Sequence, residues 1–153
     1  MLRLSLGPAM VASAEIAPTD TVYINGILVS PNNENYDGTD WNGDGSMGTY
    51  NDQFLELHNP TSDAIDLGGW WLDDIADDGS PACSIGWGTV LEAGAYIAFY
   101  RSWTGIEFDF WDGDTIRILD SSGMEVDSVS YGAEDSDWDI PYGYDSSGNW
   151  AKL

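Results

Sequence analysis

From Thr21 onward the chain consists of short apolar runs of period two, separated by Gly, Asp, Asn and Pro. Leu55/Leu57, Ile97/Phe99 and Ile116/Ile118 show the alternation most clearly. Successive strand residues face opposite sides, so each run presents one apolar face that must be covered. The runs that read as strands are 22–29, 53–58, 64–67, 70–72, 83–91, 95–100, 115–119 and 126–131. The tail 133–153 is acidic and aromatic, and its segment 138–144 reads either as a last edge strand or as a partner-facing flap. No stretch keeps a helical period. Strands so short and so frequent cover their apolar faces by stacking two sheets. The expected fold class is therefore all-β, a sandwich of about 7–9 strands with a long acidic loop and a strand-like N-terminal arm.

At 153 residues the chain has the size of one domain with a real core. Its 27 acids against 4 basic residues give a formal charge of −23. Such a surface excludes nucleic acid, which needs a basic face to displace counterions, and disfavours anionic membranes. It attracts divalent cations and makes copies repel one another. Eight Trp and eight Tyr set the chain apart from a disordered acidic tail. Cys83 is the single cysteine, so neither an intrachain disulfide nor a CxxC zinc pair is expected. No apolar run has the length of a membrane helix.

Residues 1–20 form a separate segment, apolar and small, ahead of a domain spanning 21–153. One reading is a signal peptide, with Arg3 as its charged region, 4–11 as a short apolar region and Ala12-Ser13-Ala14 as the cleavage motif. The other is a retained arm. Leu2, Leu4 and Leu6, then Ala12, Ala14 and Ile16, alternate with small or polar residues on either side of Gly7-Pro8. That pattern suits a strand added to the parent sheet or to a neighbouring subunit, and those six residues are the expected partner-binding positions.

The sharpest chemical signal is Asp40-Trp41-Asn42-Gly43-Asp44-Gly45-Ser46. In D-x-N-x-D-G loops, positions 1, 3 and 5 place short oxygen side chains around Ca²⁺, a Gly at 6 permits the sharp turn, and position 7 offers its carbonyl. These positions fall on Asp40, Asn42, Asp44, Gly45 and Ser46; Asn51 stands at position 12, where a bidentate Glu belongs, and Asp52 follows. The expected ligands of a structural Ca²⁺ are Asp40, Asn42, Asp44, Ser46 and Asp52, with Asp37 and nearby carbonyls as further candidates. A solvated Asp/Asn/Gly turn is the competing reading. The loop 30–51 is long for a compact domain, and a metal would order it. A strand begins at about residue 53, so no helix is expected after the loop.

Other chemistry is sparse. Asp73, Asp74, Asp77 and Asp78 form one acidic group and Asp109, Asp112 and Asp114 another, each a solvated loop or a cation site. The only histidine, His58, ends a predicted strand and reads as structural. Hydrolase elbows, zincin helices, phosphate loops and dinucleotide turns are missing, so no catalytic residues are assigned. Trp70 and Trp71 should split, one ring inward and one outward. Trp41, Trp103, Trp111 and Trp138 lie in loop-like contexts where they could stack on sugars or enter a protein interface.

Several runs carry a further signal. Val22-Tyr23-Ile24-Asn25, Phe54-Leu55-Glu56-Leu57-His58-Asn59-Pro60 and Asp66-Leu67-Gly68-Gly69-Trp70 resemble the opening of the lamin-tail domain. Gly88-Thr89-Val90 through Tyr100-Arg101, residues 113–120 and residues 126–132 are similar to its later strands. The resemblance runs in order over about residues 22–132. It implies an immunoglobulin-like β-sandwich with no catalytic residues, in prokaryotes commonly on secreted or surface proteins, often with an acidic insertion before the F-(I/V)-E-L strand. Gly26 and Gln53 depart from the pattern, each replacing an acid near the proposed site. No coiled-coil heptads precede the domain.

Two functional expectations follow. The first is a self-associating structural subunit of an extracellular filament or surface assembly, joined through the arm and stabilised by Ca²⁺. The second is a stand-alone secreted module that binds carbohydrate or protein through exposed Trp and Tyr.

Overall fold

The computed structural model describes residues 17–31, 38–75, 79–133 and 137–153. The proposed arm positions Leu2, Leu4, Leu6, Ala12, Ala14 and Ile16 lie outside these residues, as do Asp37, Asp77 and Asp78.

Eleven strands are described: β1 (Tyr23–Leu28), β2 (Phe54–His58), β3 (Ile65–Asp66), β4 (Trp71–Asp73), β5 (Cys83–Ser84), β6 (Val90–Leu91), β7 (Tyr96–Tyr100), β8 (Asp114–Leu119), β9 (Glu125–Tyr131), β10 (Tyr142–Tyr144) and β11 (Trp150–Lys152). They form a five-stranded sheet β11-β10-β1-β2-β7, a four-stranded sheet β5-β4-β8-β9 and a small β3-β6 pair. Their pairings are antiparallel. The result is the expected immunoglobulin-like sandwich.

The core follows the alternation. Leu55 pairs with Phe99 and Leu57 with Ile97 across β2 and β7, and Leu72 pairs with Ile118 across β4 and β8. These residues and Ile24, Ile27 and Ile116 belong to one apolar cluster between the sheets. Ile24 and Ile27 are three apart, which would put them on opposite faces of a regular strand. A β-bulge between Ile24 and Gly26 absorbs the extra residue and returns both to the core. The bulged Asn25 hydrogen-bonds Glu56 through Nδ2 at 2.8 Å.

Three expectations needed correction. The run 83–91 splits into β5 and β6 around a turn closed by the Thr89 N–H on the Gly86 carbonyl, and its halves join different sheets. The tail forms the hairpin β10-β11, which extends the five-stranded sheet beside β1, where only an edge strand over 138–144 or a flap was expected. Gly26 faces Gly143 in this docking: a Cβ on Gly26 would lie a tight 3.1 Å from the Tyr142 carbonyl, and one on Gly143 would lie 2.4 Å from the Asn25 carbonyl. The third correction is a one-turn helix, α1 (Thr49–Asp52), directly after the acidic loop; a second, α2 (Arg101–Thr104), touches it. Neither turn is long enough to leave a periodic signature.

The aromatic pair splits as expected, with Trp70 against the core and Trp71 exposed. His58 is held by its neighbours: Nδ1 meets the Tyr23 hydroxyl at 2.9 Å, and its ring stacks on Tyr96 at 4.0 Å. Among the described residues no helix is long and apolar enough to cross a membrane.

Candidate metal centre

The acidic loop turns on its own first residue. Asp40 Oδ1 accepts the Gly43 and Asp44 N–H groups at 2.8 and 3.1 Å, and Oδ2 accepts that of Gly45 at 2.7 Å. Asn42 Oδ1 accepts the Asp44 N–H at 2.9 Å, and Asp44 Oδ1 accepts that of Ser46 at 2.8 Å. Each short polar side chain thus fastens backbone two to five residues ahead, and the chain bends around the oxygens. Gly45, at position 6, has φ +87°, a conformation that a β-carbon disfavours.

Asn51 closes the ring from α1. Its Nδ2 touches both Asp44 oxygens, at 2.9 and 3.1 Å, and the Ser46 carbonyl at 2.5 Å. One amide nitrogen therefore bridges the position-5 carboxylate and the position-7 carbonyl, oxygens that a Ca²⁺ would share in a loop of this type. Rotating the amide by half a turn would put Oδ1 there instead, converting a donor into an oxygen ligand. The donor set is hard oxygen throughout, which suits Ca²⁺ or Mg²⁺ over softer metals. Among the described residues no three His, Cys, Asp or Glu side chains converge into a group that could hold a metal. The loop's set is of another kind, with two carboxylates, two amides and a carbonyl.

Asp52 has a different position from the other expected ligands. It is fully buried, and both of its oxygens are engaged: Oδ1 accepts Trp41 and Asn42 N–H at 3.1 and 3.2 Å, Oδ2 accepts Gly48 N–H at 2.8 Å. It ties the start of the loop to the helix turn that ends it. Asp52 is an anchor, and the oxygens that remain candidates for a cation are those of Asp40, Asn42, Asp44 and Ser46, joined by Asn51 Oδ1 once its amide is turned.

The anchored loop covers one end of the five-stranded sheet. The Trp41 ring lies against Phe54, and its carbonyl accepts the Tyr100 hydroxyl at 2.7 Å. Burial, and after it the charge of Asp52, pushes the Tyr100 phenol above its ordinary range, so it remains a donor. Trp41 Nε1 donates to Asp139 Oδ1 at 2.7 Å, and the Thr39 hydroxyl donates to Asp139 Oδ2 at 2.8 Å. Trp41 is therefore a pin rather than an exposed binding ring, whereas Trp103, Trp111 and Trp138 are exposed. Asp139, some hundred residues from the loop, gave no local sign of this role.

Gln53 explains the other departure from the family pattern. It is fully buried; Nε2 donates to the Val29 and Phe108 carbonyls at 2.7 and 2.8 Å, and Oε1 accepts Arg101 Nη1 at 2.9 Å and Phe108 N–H at 3.2 Å. A carboxylate could not supply the two donors.

The comparison with curated proteins returns no match. The family model described as Lamin Tail Domain matches residues 15–133, from the approach to β1 through the end of β9, with the acidic loop inside the match. The β10-β11 hairpin lies beyond it. With the motif strands pairing as one sandwich and the match covering most of the sequence, the chain belongs to the lamin tail domain family, a family of immunoglobulin-like structural and binding domains.

Proposed function

We propose that this domain is a non-enzymatic structural subunit of an extracellular or cell-surface assembly, its acidic loop held by Ca²⁺ and its N-terminal arm joining copies by strand addition. The observation that carries the reading is the loop 40–51, whose hydrogen bonds already follow the turn of a D-x-N-x-D-G calcium loop and whose start is tied to its end by Asp52 and to the sandwich by Trp41. A cation there needs little rearrangement beyond the Asn51 amide.

Two further observations favour assembly. The Ala17 N–H donates to the Gly148 carbonyl at 3.2 Å, so the chain meets the domain beside β11. Among the described residues β11 pairs only with β10, and a strand laid along its open side would continue the five-stranded sheet. Copies carrying a charge of −23 repel, and divalent cations offset that repulsion.

A stand-alone binding module is the second reading. Its support is the exposed pair Tyr50 and Trp103 beside the loop, with the Arg101 guanidinium 4.6 Å from the Tyr50 ring centre. Electron microscopy of the purified protein with Ca²⁺ and after chelation separates the two. The structural reading expects ordered assemblies with Ca²⁺ that are lost on deleting residues 2–17. Discrete monomers under both conditions would sink it.

A further inference from the structure

The five-stranded sheet has an outer face as well as a core face. Leu55, Leu57, Ile97 and Phe99 turn into the core, so Glu56 on β2 and Ala98 on β7, which pair, look outward. Aromatic rings stand on both sides of that pair. On one side the His58 ring stacks on the exposed Tyr96 at 4.0 Å and meets the Tyr23 ring edge-on at 5.3 Å. On the other, Phe54 and Tyr100 pack at 5.6 Å and Trp103 meets Tyr100 at 5.3 Å. Tyr96 and Tyr100 lie four residues apart on one strand, which separates their backbones by about 14 Å. Between them β7 offers only the methyl group of Ala98, so the face is recessed there.

The floor of the recess carries a charge with no counter-charge. Glu56 is half-buried and its Oε1 accepts Asn25 Nδ2 at 2.8 Å. Among the described residues its carboxylate forms no ion pair. The described basic residues are engaged elsewhere: Arg101 with Glu107, Arg117 with Asp73 and Lys152 with Asp137. The fourth basic residue of the sequence is Arg3, near the tip of the arm.

The recess opens in one direction. Gly26 and Gly143 continue its floor across β1 and β10. The Leu153 side chain lies over both, with Cδ1 3.9 and 3.0 Å from the places where their β-carbons would stand. That closes the end towards β11. The other end is open at β7, the last strand of the sheet. The chain's own arm departs from the closed side, where the Ala17 N–H meets the Gly148 carbonyl beside β11.

We propose that this recess receives the tip of the arm of a neighbouring copy, entering over β7 and setting the Arg3 guanidinium on the Glu56 carboxylate. The inference rests on the arm-joined assembly proposed above and names its acceptor. A planar guanidinium suits the place, because it pairs with a carboxylate as a fork and stacks on aromatic faces. A neutral side chain would cover Glu56 without compensating it. Gly7-Pro8 separates this tip from residues 12–16, so the two halves of the arm take separate places.

Charge reversal on the full chain tests the proposal, with the critical concentration for assembly in Ca²⁺, read by light scattering, as the measure. Arg3→Glu and Glu56→Lys should each raise it about tenfold or more, and the two together should restore it to within about threefold of the parent. Glu56→Lys makes the chain less negative, so relief of general repulsion predicts the opposite sign for that variant. Ala98→Trp fills the recess without touching a charge and should also raise the critical concentration, its circular dichroism unchanged. Parent assemblies that need residues 2–17 but ignore these changes would overturn the acceptor and leave the arm reading standing. Monomers of the parent at every concentration would overturn both. Reversals that do not rescue each other, or that couple in the melting of dilute monomers, would place Arg3 elsewhere or within one copy and overturn the assignment.

Discussion

Replacing Asp52 by Asn tests whether this side chain ties the start of the loop to the turn that ends it. The carboxylate accepts three backbone N–H groups, two on Oδ1 and one on Oδ2, from a fully buried position. Asparagine keeps one oxygen. In its least costly orientation that oxygen serves Trp41 and Asn42, and the new NH₂ opposes the Gly48 N–H across 2.8 Å. One charge-assisted bond becomes a donor–donor contact, and the other two weaken because the acceptor is neutral. An unsatisfied buried donor costs about 1–3 kcal/mol, and Gly48 is only half-buried, which places the loss at about 1–2 kcal/mol. At this chain length each kcal/mol moves the melting temperature by about 2–4 °C, so a drop of about 2–8 °C is expected. The assay is thermal denaturation followed by circular dichroism in excess chelator, which keeps any metal effect out of the comparison. A variant that melts with the parent chain would refute the anchoring role.

Gln53→Glu should destabilise by about 2–4 kcal/mol, because a buried carboxylate facing the Val29 and Phe108 carbonyls loses two donated bonds and the Arg101 contact compensates only part. Urea unfolding measures it, and undiminished stability would contradict the structure's account of Gln53. His58 is held below its ordinary range chiefly by burial, so the unfolded chain takes up its proton first as pH falls. Its contribution to stability is therefore present above about pH 6.5 and is lost on descending through that value. His58→Phe should flatten the melting curve between pH 7 and 5 relative to the parent, and an unchanged slope would count against this sign.

The sandwich was legible because its signal is local and repeated. Leu55/Leu57 and Ile116/Ile118 declare their faces without help from the rest of the chain. The hairpin β10-β11 was not, since the aromatic and acidic residues around Tyr142 and Trp150 carry no alternation. What seats it is a glycine pair, Gly26 and Gly143, whose meaning appears only when the strands approach. The loop divided in the same way. The spacing of Asp40, Asn42 and Asp44 marks an oxygen-rich turn, whereas the role of Asp52 depends on amides ten residues back and that of Asp139 on a contact across the fold. Asp74 on one side and Asp109 and Asp114 on the other were visible only as members of two unrelated acidic stretches. Strand order alone brings Asp74 beside Asp109 and Asp114.

The most direct test of the proposed calcium-held loop is a pair of melts, with Ca²⁺ and with chelator, on the parent chain and on Asp40→Asn/Asp44→Asn. A ligand that binds only the folded state at a hundredfold excess over its Kd adds about 2.7 kcal/mol, which corresponds to about 5–11 °C for a domain of this size. The account predicts that rise for the parent chain and none for the double variant. Identical melts of the parent chain with and without Ca²⁺ would contradict it.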